Sequence, residues 1–240
     1  MDHEYPIVGE IEPLEIMQID RPKTSKELLQ LAKQTRIIGE DPQLHWNKNK
    51  ILANLDIISP DLTIKTTDMP YNLLDKQEFE QQIKKLLYLK VIRPSKSRHR
   101  SAAFVVRKHS ELKRGKARIV YNYRRLNDNT YEDSYKLPNK DELMNKIQES
   151  KYFSKFDCKS GFWQIRLAEE SIQLVAFTCP EWHFEWLVMP FGLKNAPSIF
   201  QRKMDQIFKK YDNFPLSLIY SPFLLAFTEQ VKMNEVAVFL

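Results

Sequence analysis

The stretch "KYFSKFDCKSGFWQIRL", Lys151 to Leu167, puts a single carboxylate, Asp157, at the end of an aromatic-rich apolar run. A glycine and two large rings, Phe162 and Trp163, follow within six residues of it. Taken alone, an Asp after a strand is a turn former or a helix N-cap. Beyond it, "FWQIRL" alternates Trp163, Ile165 and Leu167 against Gln164 and Arg166, which predicts a half-buried strand. Upstream, "NKDELMNKIQES" carries a capping-box pattern in Asn139 and Glu142, so a helix leads into the run.

Outward from this centre the pattern stays mixed. "VAFTCPEWHFEWLVM" reads as a hairpin turning at Cys179 to Trp182, and "NAPSIFQRKMDQIFKKY" as a helix. Asn195 or Ala196 precedes that helix and Pro197 fits its first turn, while Ile199, Phe200, Met204, Ile207, Phe208 and Tyr211 share a face. Toward the N-terminus, "AFVV" and "RIVYNY" are two strands joined by a long basic loop around Gly115. "DKQEFEQQIKKLLYLK" is a helix capped by Asp75, with Glu78 three residues on and an apolar face of Phe79, Ile83, Leu86 and Leu87. "LDIISPDLTIKTTDMPYNLL" is β-branched and broken by prolines, hence extended. Residues 1–50 read as a connector with one helix near Ser25 to Lys33. Helices and antiparallel strands in this irregular order predict an α+β fold rather than a wound parallel sheet.

With 240 residues the chain has room for one large domain or two small ones. Its net charge of +6 is unevenly placed. Arg93 to Arg125 holds twelve Lys/Arg against one acid, Glu111, a balance of +11, so the remainder sums to 6 − 11 = −5. A solvated charged face ordinarily has its acids interspersed; a segment nearly without them points to a polyanion such as nucleic acid or phosphate. Cys158 and Cys179 lack metal-ligand spacing and form no disulfide framework, which fits a reducing compartment. The five His are scattered and outline no zinc site. The start has no apolar signal-peptide core, and the longest apolar run, "PLSLIYSPFLLAF", is too short to span a bilayer. An intracellular location, cytoplasmic or nuclear, is therefore expected.

Three long segments in order, "VIRPSKSRHRSAAFVVRKHSELKRGKARIVYNYRRLND", "YKLPNKDELMNKIQESKYFSKFDCKSGFWQIRL" and "HFEWLVMPFGLKNAPSIFQRKMD", resemble the fingers and palm of one family. It is the reverse transcriptase of plant pararetroviruses, the caulimovirus group, related to that of gypsy-type retrotransposons. "IIGEDPQLHWNKNKILANLDIISPDLTIK" resembles the segment ahead of the polymerase in the viral polyprotein, and the resemblance runs from about Ile37 to Phe214. It implies an RNA-directed DNA polymerase of α+β fold, with residues 51–214 as fingers and partial palm. The implied partners are a primed RNA or DNA template and dNTPs, with the protease and RNase H domains of a polyprotein elsewhere.

The resemblance also assigns roles. Asp157 matches the magnesium-binding acid of the family, with the Cys158 carbonyl beside it, and two Mg2+ ions are expected in an intact member. Hard cations of this kind take carboxylate and phosphate oxygens. Phe162 matches the ring that excludes a ribose 2′-hydroxyl, a specificity achieved by repulsion. Arg118 matches the fingers arginine that lies on the incoming triphosphate, where a planar guanidinium can hold phosphate oxygens in pairs. Arg107 or Lys108 should supply a second fingers cation, the long loop leaving both open. Phe191 and Gly192 fall where the family lines the nucleotide and template pocket, and Lys194 and Gln201 are candidate template contacts, although a solvated helix face accounts for them equally well.

Two departures stand out. Where the family carries Tyr-x-Asp-Asp this chain has Tyr220-Ser221-Pro222-Phe223, and no Asp follows Asp212. Residues 215–240 therefore read as a divergent tail, and the chain as an inactive fragment of an endogenous viral polyprotein or, alternatively, a nucleic-acid-binding remnant without chemistry. A structural protein with no nucleic-acid partner would require the clustered charge to be accidental. The second departure is Trp182, where the family has a glycine at a tight turn.

Overall fold

The structure is a computed structural model that describes residues 52–67, 69–107, 117–137 and 160–208, the strand backbones 152–156 and 223–227, and residues 30 and 139. Of the helix expected near Ser25 to Lys33 only Gln30 is described, and it is helical; the helix expected after Asn139 lies outside the described residues.

Helix α1, Leu73–Tyr88, begins three residues earlier than the sequence suggests. Its N-cap is Asn72, whose side chain accepts the Asp75 N–H at 2.8 Å, while the Asp75 carboxylate accepts the Asn72 N–H at 3.3 Å. The capping box is thus Asn72 with Asp75, not Asp75 with Glu78. Phe79, Ile83 and Leu86 are buried as expected, but Leu87 faces solvent. The helix ends in paired bonds from Lys90 N–H to the Leu87 carbonyl and from Val91 N–H to the Leu86 carbonyl. Lys90 takes the left-handed conformation, φ 52°, that such an ending requires.

The chain then enters a five-stranded sheet built from β2 (Ile92–Pro94), β3 (Ser101–Val106), β4 (Arg118–Tyr121), β7 (Phe177–Cys179) and β8 (Trp182–Trp186). The order across the sheet is β2-β8-β7-β3-β4. Every pairing is antiparallel except β3 with β7, where Ser101 faces Phe177. The β7–β8 hairpin turns where expected, with Cys179 opposite Trp182. Trp182 opens β8 and is not among the residues with positive φ, so this turn has no position that demands glycine. Its ring is 65% exposed.

"FWQIRL" does not form the strand its alternation predicts. Gly161–Gln164 is a 3-10 turn, followed only by the two-residue β6, Arg166–Leu167, which pairs in parallel with β1, Leu52–Ala53. The cause is local: Ser160 sits at φ 51°, and its carbonyl accepts the Trp163 N–H at 2.7 Å, coiling the chain before it can extend. The inside-outside alternation survives from Ile165 onward, with Ile165 and Leu167 buried and Arg166 exposed.

Short helices α2 (Arg124–Asp128) and α3 (Glu169–Ile172) and the longer α4 (Ala196–Phe208) complete the set with β5 (Tyr152–Phe156) and β9 (Phe223–Phe227). Phe200 and Met204 of α4 are buried and Ile199 half-buried, as the helical spacing predicts. The core gathers Tyr123, Phe177, Phe184 and Trp186 with the aliphatic face of α1. Tyr121 is edge-on to both Phe177 and Trp186, at 4.7 and 5.3 Å between ring centroids.

Candidate active site

The segment after β8 descends through buried Val188, Met189 and Pro190 and then surfaces at Phe191, 50% exposed, and Gly192. Gly192 has φ 98°, a backbone state that L side chains rarely adopt. Two asparagines hold this segment. Asn127 of α2 donates to the Gly192 carbonyl and accepts the Lys194 N–H, both at 2.9 Å. Asn195 donates to the Tyr131 carbonyl at 2.7 Å and accepts the Asp133 N–H at 3.1 Å. Between the pinned loop and the edge of the sheet lies an open cleft of about 480 Å³, lined by Phe104, Val120, Asn122, Arg124, Asn127 and Gly192 among others. The sequence reading missed Asn127 and Asn195; only their place in "RRLND" and "KNAPS" marks them, and that signal is weak.

Phe162, in the 3-10 turn, is half-buried against two rings of this region, 5.1 Å from Phe191 and 5.6 Å from Phe200 between centroids. The fold therefore brings Phe162, Phe191 and Gly192 into one neighbourhood. Lys194 is exposed beside them. Gln201 is placed differently from the expectation: it is 3% exposed, and its amide donates to Asp205 at 2.7 Å, so it presents nothing to a template. Its helix is also tied to the incoming chain. The Tyr135 hydroxyl bonds Asp205 at 2.5 Å, Arg202 pairs with Asp133, and the Arg202 guanidinium lies over the Tyr135 ring. The bond to Asp205 pushes the Tyr135 phenol up to about 12.

Arg118 opens β4, exposed, opposite Val106. Arg107, one residue beyond β3, is ion-paired to Asp75 at 2.6 Å. Other members of the basic run are likewise engaged inside the fold. Arg93 bridges Glu185 and Glu169, at 2.7 Å each, Arg98 caps the Pro60 carbonyl, and Arg125 bonds the Lys65 carbonyl. Part of the excess positive charge thus fastens loops to the sheet, which the sequence alone did not separate from a ligand-facing role. Cys179 is buried, and its thiol is pushed up to about 11 by burial, so it stays protonated and unreactive near neutrality.

Asp157, Cys158 and Lys108 lie outside the described residues. The backbone on either side of the expected metal site is described, however. β5 ends at Phe156 and pairs antiparallel with β9, with Phe156 directly opposite Phe223. Phe223, the last residue of Tyr220-Ser221-Pro222-Phe223, therefore opens the strand that pairs with the one leading in sequence to Asp157. A phenylalanine at that position supplies no side-chain oxygen for a hard cation. Among the described residues no group of three His, Cys, Asp or Glu could hold a metal ion.

Residues 106–228 match the family model described as reverse transcriptase (RNA-dependent DNA polymerase). The chain belongs to the reverse transcriptase family. That match continues past Phe214 and through β9. The chain is 42% identical over 237 residues, 95% of its length, to polyprotein P3 of Commelina yellow mottle virus, and covers 12% of that protein. It is 48% identical over 209 residues, 85% of its length, to the enzymatic polyprotein of Cauliflower mosaic virus, strain Strasbourg, covering 30% of it. The relatives are plant pararetrovirus polyproteins, as the sequence motifs implied, and the chain spans under a third of their length. Among solved structures, the foamy viral protease-reverse transcriptase in complex with an RNA/DNA hybrid is similar in fold, with TM-score 0.65 and 18% identity. That likeness covers 87% of this chain and 31% of the other. Prototype foamy virus protease-reverse transcriptase gives TM-score 0.62 at 20% identity, over 87% of this chain and 30% of that one. The α+β fingers-and-palm architecture follows. No described helix is long and apolar enough to cross a membrane.

Proposed function

We propose that the chain is the fingers and partial palm of an RNA-directed DNA polymerase, and that alone it binds primed template without extending it. Residues 1–50 serve as the connector, 51–214 as fingers and palm, and 215–240 as a tail that keeps the family's strand but not its acids. The observation that carries this reading is the pairing of Phe156 with Phe223. It pairs Phe223 with the strand that leads in sequence to Asp157, and Tyr220-Ser221-Pro222-Phe223 offers no acid to share two Mg2+ ions with Asp157. In an intact relative such ions would hold the dNTP phosphates and the primer hydroxyl; here one carboxylate is left for that purpose. A rate falls tenfold for each ~1.4 kcal/mol added to a barrier, so loss of a ligand pair suffices to silence the chemistry.

Binding is supported by what remains. Arg124 lines the cleft with Phe104, Gly192 and one acid, Asp128, and Arg118 and Lys194 are exposed on β4 and just after Gly192. On this reading Phe162 is the ring that would exclude a ribose 2′-hydroxyl and Phe191 and Gly192 are the nucleotide pocket wall, which the nearness of Phe162 to Phe191 supports. Arg107 is already held by Asp75, which leaves Lys108 as the second fingers cation. Primer extension with Mg2+ and dNTPs should give no product, and binding to primer–template should weaken steeply with salt, by a log–log slope of about −0.9 per neutralised phosphate. Robust extension would overturn the inactive assignment; salt-independent binding would overturn the nucleic-acid one.

A further inference from the structure

Helix α1 grips both arms of the basic hairpin where they leave the sheet. The last paired residues of the arms are Val106 and Arg118. One step past Val106, Arg107 donates from Nη1 to Asp75 Oδ1 at 2.6 Å, in the first turn of α1. One step before Arg118, the Ala117 carbonyl accepts from Gln82 Nε2 at 3.3 Å, two turns further along the helix. Tyr71, just ahead of the helix, adds a bond from its hydroxyl to the Ala103 carbonyl at 2.8 Å. Asp75 and Arg107 are 15% and 32% exposed in their side chains, so their pair is partly shielded from water.

The segment these contacts bracket needs restraint. Residues 107–118 contain six Lys/Arg and one Glu, a balance of 6 − 1 = +5 over twelve residues of sequence. Like charges at that density repel each other and the rest of the basic run, which favours splaying of the hairpin away from the sheet. A carboxylate at one root and an amide at the other oppose it. Asp75 also fills the N3 position of its helix cap, so the brace is anchored on a helix end that is itself fixed.

We propose that Asp75 and Gln82 are positioning residues that set the attitude of the basic hairpin toward primer–template. The choice of ligand rests on the polymerase reading above; the brace itself does not. Arg107 is then a tether and not a phosphate ligand.

The test uses Asp75→Asn in the full chain. Asn keeps an oxygen to accept the Asn72 N–H, so the cap remains, but the ion pair is lost. Removing a negative charge beside a polyanion should tighten binding if attraction alone matters. The brace requires the opposite: affinity for a primer–template with a single-stranded overhang, read by fluorescence anisotropy, falls about fivefold, roughly seven-tenths of a tenfold step in free energy. Amide hydrogen exchange in residues 103–106 and 118–121 should rise about tenfold, while α1 keeps its protection. Gln82→Leu should act in the same direction with no change of charge. Arg107→Lys, which keeps the pair, should bind like the unaltered chain, and Arg107→Gln should not. Unchanged exchange, or unchanged or tighter binding by D75N, overturns the proposal. If the unaltered chain fails to bind primer–template while D75N still exchanges faster, the brace is supported and the nucleic-acid reading falls.

Discussion

Asn127 and Gly192 are locked together across 65 residues of sequence: the asparagine amide donates to the glycine carbonyl at 2.9 Å. Its oxygen takes the Lys194 N–H, so a single side chain spans the turn on which Gly192 sits. Because both bonds are exposed to water, Asn127→Ala should cost only ~1 kcal/mol. For a chain of this size that lowers the melting temperature by about 3 °C, measurable by calorimetry. Binding to primer–template should weaken more than this loss of stability implies, since the loop lines the cleft.

Gly192→Ala tests the backbone directly. An added Cβ would meet Tyr123 Cδ2 at 3.5 Å, an ordinary contact, so space is not the obstacle. The positive φ is. A destabilisation of ~1–2 kcal/mol is expected, read as a lower urea midpoint at unchanged slope.

His99 should make stability depend on pH. It is buried, with Nδ1 accepting the Ile64 N–H at 3.2 Å and Nε2 facing the Arg98 guanidinium at 3.4 Å. With Nδ1 accepting, the neutral ring carries its one hydrogen on Nε2, and a second proton would have to enter at Nδ1, where the Ile64 N–H already points. Burial first, and then the charge of Arg98, lower its pKa below the ordinary 6.5. The unfolded chain therefore binds the proton more readily than the folded one. The stabilisation is complete above about pH 6.5 and is lost progressively as pH falls from there toward the folded-state pKa. Denaturation midpoints taken between pH 7.5 and 5 should decline more for the unaltered chain than for His99→Gln, which has no proton to gain.

Restoring acids at the divergent turn should restore metal binding. In Pro222→Asp with Phe223→Asp, two carboxylates would enter beside the strand that ends at Phe156. Bound Mn2+, followed by electron paramagnetic resonance, should rise at least about tenfold over the unaltered chain. No gain would show that the tail does not deliver these positions to Asp157.

Much of this architecture could be read from residue patterns, and the failures have local causes. The helix at Ala196–Phe208 and the hairpin at Cys179 to Trp182 were legible because apolar spacing and turn chemistry agree there. "FWQIRL" misled because alternation reports which residues go inside, and Ile165, Arg166 and Leu167 obey it, but it does not register a left-handed Ser160 that coils the preceding residues. At the start of α1, Asp75 looked like a cap because it precedes the charged run; Asn72, three residues earlier, could be preferred only once the chain direction out of Tyr71 was known. The roles of Asn127, Asn195 and the Asp75–Arg107 pair join residues 32 to 67 apart in sequence, and no periodicity encodes such pairings. Gln201 looked exposed only because helix polarity does not say what packs above it.

The single parallel pairing in the sheet governs when the fold can close during synthesis. Ser101 finds Phe177 across a separation of 177 − 101 = 76 residues, and β7 and β8, the middle of the sheet, are its last strands in chain order. Until they leave the ribosome, β2 at one edge and the β3–β4 hairpin at the other have nothing between them. A product truncated before Trp186 would lack the hinge of the whole fingers sheet, so any premature stop upstream of that residue yields not a smaller domain but an unfinished one.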